Sequence, residues 1–136
     1  MSAIEPIRTP LAGPPHGHYE QAVVAGGLVY ASGILGRSEL AAGETRTIVD
    51  EAEYCLAQLR HVLEAAGSGL DRVAKLTLYV TDVEHWPRVN AVCARHFGAH
   101  RPARSIVTCP ALRLGSALEI DAIALAGRSL NADRAP

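Results

Sequence analysis

Two charged residues stand in otherwise apolar, strand-like sequence toward the end of the chain. Arg104 lies in Arg101-Pro102-Ala103-Arg104-Ser105-Ile106-Val107. Glu119 lies in Leu118-Glu119-Ile120-Asp121-Ala122-Ile123-Ala124-Leu125, beyond a turn-like stretch from Pro110 to Gly115. A charge in a strand that reads as buried is costly unless it is paired or used. Arginine has the planar fork that grips a small carboxylate with two charge-assisted hydrogen bonds. A nearby glutamate can then hold a water against whatever carries that carboxylate. The competing structural reading makes Arg104 an ion-pair partner of Glu119 or Asp121. Residue types and spacing leave both readings open.

Other reactive side chains form weaker patterns. His16 and His18 make an H-x-H in a proline- and glycine-rich stretch, and His96 and His100 lie four apart with Gly98 between them. A metal site needs three or four convergent ligands, and no third ligand accompanies either pair, so no metal is expected. Cys55 and Cys93 fall on apolar helical positions, where a buried thiol is expected. Cys109 has no histidine placed beside it by sequence, and a half-buried thiol is expected there too.

The elements that must position these residues follow from periodicity and turn signals. Residues 1–18 hold Pro6, Pro10, Pro14 and Pro15 and read as an extended leader. A strand is predicted at Tyr19–Ala25 and another at Leu28–Ser32, joined by Gly26-Gly27 as a hairpin, because both glycines accept positive φ. Gly36–Arg46 reads as a loop. Apolar positions Ile48, Ala52, Cys55, Leu56, Leu59, Val62, Leu63 and Ala66 then recur at helical spacing and stop at Gly67. A strand at Val73–Val80 places Leu76, Leu78 and Val80 on one face. Thr81-Asp82-Val83-Glu84 has the pattern of a capping box. It precedes a helix to about Phe97 with Trp86, Val89, Cys93 and Phe97 inward, ending at Gly98. Strands at Arg104–Thr108 and Ala117–Leu125 close a single domain over residues 19–126, and residues 127–136 read as a flexible tail.

The expected order is β-β-α-β-α-β-β, an α+β fold with both helices on one sheet face. Ala117–Leu125 and Tyr19–Ala25 carry apolar residues on both of their faces, yet two helices cover only one side. Another copy of the chain is the cheapest cover for the second side, so a homo-oligomer is expected.

Composition narrows the partners. The 136 residues are 49% hydrophobic and 4% aromatic, with a formal net charge of −1. That excludes disorder for most of the length and gives a core of Ala, Val, Leu and Ile. No basic run offers the phosphate contacts a nucleic-acid partner requires. No apolar run reaches membrane-spanning length, and no signal peptide is read at the start. The odd cysteine count without CxxC spacing suits a reducing cytoplasm.

The chain resembles the RidA/YjgF family of reactive-intermediate deaminases over about residues 15–126. The resemblance rests on Gly17-His18-Tyr19-Glu20-Gln21-Ala22-Val23, on Gly27-Leu28-Val29-Tyr30-Ala31-Ser32-Gly33, and on Leu63-Glu64-Ala65-Ala66-Gly67-Ser68 through Val80-Thr81-Asp82. It continues in Val89-Asn90, Arg101-Pro102-Ala103-Arg104-Ser105 and Leu118-Glu119-Ile120-Asp121-Ala122-Ile123-Ala124. Six weak segments in the right order make a strong signature. The resemblance implies a chorismate-mutase-like homotrimer with pockets where chains meet. It implies hydrolysis of 2-imino and 2-enamino acids, such as 2-aminoacrylate and 2-iminobutanoate, to 2-keto acids and ammonia, without metal or cofactor. By resemblance Arg104 binds the substrate carboxylate and Glu119 orients the attacking water. Tyr19 and Ser32 line the pocket and move protons, Asn90 sits at its edge, and Ile106 occupies a substrate-binding position where some relatives have Cys. Glu20, Ile34 and Gly36 also depart from common family residues and bear on substrate side-chain preference. Two alternatives accompany this reading: a relative acting on a larger enamino acid of the 3-aminoacrylate or aminomuconate type, and a non-catalytic small-carboxylate-binding or holdase-like protein. Ribonuclease activity, also attributed to the family, is disfavoured by the mild acidity and the lack of a basic aromatic surface.

Overall fold

The computed structural model describes residues 3–127; the rest of the expected tail lies outside the described residues. The elements are β1 (Glu5–Ile7), β2 (Ala22–Ala25), β3 (Leu28–Leu35), α1 (Ile48–Ala65), β4 (Val73–Val80), α2 (Trp86–Phe97), β5 (Ala103–Thr108) and β6 (Leu118–Leu125). They form one α+β unit, a six-stranded sheet in the order β1-β2-β3-β6-β4-β5. Every strand pair is antiparallel except β4 and β5, which α2 connects in parallel.

Period-two alternation sets the inner face. Leu118, Ile120, Ala122 and Ala124 of β6, with Leu76, Leu78 and Val80 of β4, are buried in one core with Leu56, Leu59 and Leu63 of α1 and Val89, Val92 and Phe97 of α2. The other phase of β6 runs Glu119, Asp121, Ile123, Leu125, and no described helix covers it. Tyr30, Val107 and Leu125 are exposed large apolar side chains.

Local chemistry explains where the elements begin and end. Gly26 and Gly27 have φ of 56° and 81°, the paired left-handed conformation of a tight hairpin turn. Thr47 caps α1: its Oγ1 accepts the Asp50 N–H at 3.1 Å, while the Asp50 carboxylate accepts the Thr47 N–H at 3.1 Å. At the other end Gly67 (φ 74°) ends the helix, with Ser68 N–H donating to Leu63 O at 2.8 Å and Gly67 N–H to Glu64 O at 2.9 Å, the Schellman arrangement.

Several expectations need correction. The capping box lies at Thr47–Asp50 and not at Thr81–Glu84, where Asp82 caps a short 3₁₀ turn through the Glu84 N–H. Trp86 is not inward; it opens α2 and is exposed. The strand expected from Tyr19 begins only at Ala22, because residues 16–19 turn and Tyr19 N–H closes onto Gly17 O at 3.0 Å. The leader stretch contributes β1 as a sixth strand, which tolerates Pro6 because it sits at the sheet edge. Gln21 fastens the stretch after β1: its Oε1 accepts the Thr9 N–H at 2.7 Å and its Nε2 donates to Gly13 O at 2.8 Å.

Candidate active site

The side chains singled out in sequence fall into two groups, and the two charged residues lie on different faces of the sheet. Arg104 lies opposite Leu76 in β4 and Glu119 lies opposite Tyr79. Leu76 faces the helices and Tyr79 belongs to the other phase, so Arg104 and Glu119 point to opposite sides. They sit two strands and three residues apart, which places their Cα atoms roughly 14 Å from each other. The ion-pair reading is therefore corrected: within one chain Arg104 pairs with neither Glu119 nor Asp121, and Tyr79 donates its hydroxyl to Asp121 at 3.1 Å. The same geometry prevents Arg104 and Glu119 of one chain from acting on one small substrate.

The first group gathers on the edge strand β5 and the side of α2. Arg104 and Asn90 line one depression of about 570 Å³ with Leu76, Cys93, Phe97 and Arg101. The Arg104 guanidinium lies 5.7 Å from the Trp86 ring centroid, within cation–π range. It makes no ion pair among the described residues. Burial pushes the Cys93 thiol up, and the Arg104 charge beside it opposes that push. Ile106, two residues further along β5, packs its partly buried side chain on the core.

The second group forms around an irregularity in β3. Pairing with β6 shifts register between Ala31 and Ile34, which throws Ser32 and Gly33 out of the ladder. Ser32 is held there by its N–H to Gln21 O at 3.0 Å and its hydroxyl to Glu20 O at 2.6 Å. The Glu119 carboxylate lies directly over Gly33, and a β-carbon at that glycine would collide with it. Glu119 has no protein hydrogen-bond donor among the described residues. Burial pushes its carboxyl above the usual range, Asp121 adds to the push, and Arg113 opposes it.

Tyr19, Ser32 and Gly33 line a cleft of about 470 Å³ that also takes in Ile34, Arg37 and Arg113. The Tyr19 hydroxyl accepts the His16 N–H at 3.3 Å. Glu39 and Leu114 are the non-glycine residues with left-handed backbone among those described (φ 59° and 65°), and both line this cleft. Backbone strain concentrates at working sites. Glu20, an extra acid beside the tyrosine, is neutralised by Arg8, whose Nε donates to it at 2.8 Å. That hydrogen bond holds its carboxyl below the usual range.

Sequence reading did not single out Arg37, Arg101 or Arg113 as lining residues. Their only signal was a cation in a loop with no acid at helical or cross-strand spacing. Among the described residues no cluster of three or more His, Cys, Asp or Glu is placed to hold a metal ion. No described helix is long and apolar enough to cross a membrane.

The chain is a small α+β domain in which the arginine-lined depression beside β5 and α2 and the Glu119 carboxylate over Gly33 lie on different faces of the sheet. The model of the endoribonuclease L-PSP family matches residues 10–126, and the chain belongs to this family, the RidA/YjgF group. It is 38% identical to the protein HMF1 of Saccharomyces cerevisiae, across 78% of this chain and 82% of that one. It is 35% identical to a 2-iminobutanoate/2-iminopropanoate deaminase of Dermatophagoides farinae, across 90% of this chain and 97% of the relative. The crystal structure of yeast Mmf1 superposes with a TM-score of 0.85 at 31% identity, covering 91% of this chain and 99% of the other.

Proposed function

We propose that the protein hydrolyses 2-imino and 2-enamino acids to 2-keto acids and ammonia, at sites built from two neighbouring chains of a homotrimer. The observation that carries this reading is Glu119: a half-buried carboxylate with no protein donor among the described residues, laid over Gly33, which also lines the cleft of Ser32 and Tyr19. A carboxylate in that state takes and returns protons closer to neutral pH than an ordinary glutamate does. Hydrolysis needs such a group. Water adds to the C2 carbon of the iminium, and its first proton passes through Glu119 to the amino nitrogen. As the C–N bond breaks to release ammonia, Glu119 takes the remaining hydroxyl proton, leaving the carbonyl, and returns it to solvent. The iminium carbon is already electrophilic, so what the protein supplies is charge matching, a placed water and a proton path.

Arg104 of the adjoining chain holds the substrate carboxylate, its fork in no ion pair among the described residues, with Asn90 in the same depression and Ile106 two residues along the strand. Tyr19 and Ser32 serve the exchange of protons between enamine and imine forms. The family relative named as a 2-iminobutanoate/2-iminopropanoate deaminase supports the same substrate class. The test is ammonia release from 2-iminobutanoate generated in place by an amino-acid oxidase. Release accelerated in proportion to added protein is expected. Release at the spontaneous rate would overturn the proposal.

A further inference from the structure

The cleft beside Ser32 and Gly33 is larger than a three- or four-carbon acid needs, since about 470 Å³ falls among pockets of ~300–1,000 Å³ that accept drug-sized ligands. Arg37 and Arg113 both line it. Unlike Arg8, Arg60 and Arg95, neither is in an ion pair among the described residues. Glu39, the acid lining the same cleft, is turned to His16, with its Oε1 3.1 Å from Nε2.

The two arginine-bearing segments are fastened to each other. The Arg37 N–H donates to Ser116 Oγ at 3.1 Å, and the Ser116 N–H donates to Arg113 O at 3.1 Å, with Ser116 buried. From the other side Arg46 donates to Gly36 O at 2.9 Å and Ser38 O at 2.6 Å, while its guanidinium rests 4.0 Å above the Tyr54 ring. Loop 36–38 is thus braced on both sides of Arg37. Ile34, Leu40 and Val62 give the cleft apolar wall, suited to a short methylene chain.

We propose that Arg37 and Arg113 form a second anion subsite in this cleft, which selects 2-imino acids carrying another carboxylate at the far end of the side chain. This rests on the deaminase reading for the reacting end, where Arg104 of the neighbouring chain takes the first carboxylate. Guanidinium groups stay charged at all working pH values and match a carboxylate in two-point contact. The substrate class is a four- or five-carbon dicarboxylic imino acid.

Stable keto acids separate the two claims. Calorimetric titration of the parent with 2-oxobutanoate and 2-oxoglutarate should show at least about tenfold tighter binding of the dicarboxylate, the yield of one added charge-assisted contact. The double variant Arg37→Gln/Arg113→Gln should lose that preference, and the exposed Arg113→Gln alone should lose part of it, with melting temperature confirming the fold in each. Equal affinity in the parent overturns the subsite, as does a preference that survives in the double variant. Ammonia release from 2-iminobutanoate is measured on the same preparation. Release without dicarboxylate preference removes the subsite and leaves the deaminase. Preference without release removes the deaminase and leaves the subsite.

Discussion

Removing the Arg104 guanidinium and removing the Glu119 charge should leave different kinetic signatures, because one group acts on binding and the other on the chemical step. Two charge-assisted hydrogen bonds at roughly 1.5–3 kcal/mol each correspond to a factor of about 10²–10⁴ in kcat/KM. Arg104→Lys keeps the charge and loses the fork, so it should recover little of what Arg104→Ala loses. Glu119→Gln keeps the shape and one acceptor oxygen, so a stable 2-keto acid should still bind while kcat collapses. The sign of the shift at Glu119 sets the pH profile. Burial raises the Glu119 pKa above 4.5, and the ionised form is the one that accepts the proton from water. The kcat of the parent should therefore fall as pH drops through that raised value, and this acid limb should be missing from whatever activity Glu119→Gln retains. Unchanged turnover in the Gln variant would remove Glu119 from the chemical step.

At the scale of elements, a buried acid holds the start of β6 against α1. Glu51 is 2% exposed, and its Oε1 accepts the backbone N–H of Ala117 at 2.9 Å and of Leu118 at 3.1 Å. Those bonds fix the two residues just before Glu119. Gly36 leaves the space: a β-carbon there would strike the Glu51 side chain. Glu51→Leu orphans both N–H groups and should cost roughly 2–6 kcal/mol, one desolvation penalty for each. Glu51→Gln keeps the acceptor. Burial raises the Glu51 pKa in the folded chain, so the carboxyl's contribution to stability is complete below its unfolded pKa and is lost as pH rises through the folded one. The Gln variant should accordingly match or exceed the parent at neutral pH, and the gap should close on acidification toward pH 4.5. Urea midpoints at the two pH values measure this, and a Leu variant no weaker than Gln would disprove the clamp. None of it was legible in sequence, where Glu51 reads as an ordinary acid in the first turn of a helix. The Gly26-Gly27 hairpin and the Gly67 stop were legible, because their signals are local. The opposite facing of Arg104 and Glu119 was not. Alternation gives the phase within each strand, but the relation between β5 and β6 is fixed by β4 lying between them. β1 escaped for the same reason, since three residues including Pro6 form a strand only where β2 offers an edge.

At the scale of the whole molecule, the proposed site, with Arg104 and Glu119 on opposite faces, would make activity a property of neighbouring chains. The uncovered sheet face, with Tyr30, Val107 and Leu125 exposed on it, gives a physical reason for chains to associate. The proposed trimer would set the Arg104 edge of one chain beside the Gly33 bulge of the next. Two inactive variants should then rescue each other. In a reassembled mixture of equal amounts of Arg104→Ala and Glu119→Gln, a given interface is sound only when an Arg104→Ala chain supplies Glu119 and a Glu119→Gln chain supplies Arg104. Random assembly meets that condition at one half times one half of the interfaces, so turnover should return to about a quarter of the parent value in a closed cyclic oligomer. The chains are unfolded together, refolded, and checked by light scattering for a mass near three chains before assay. Sites lying wholly within one chain predict no recovery at any mixing ratio. A monomeric mass in the active parent would remove the shared site outright. Recovery that peaks at equal proportions, and vanishes when either variant is reassembled alone, is the outcome that a carboxylate clamp and a water-holding glutamate on separate chains require.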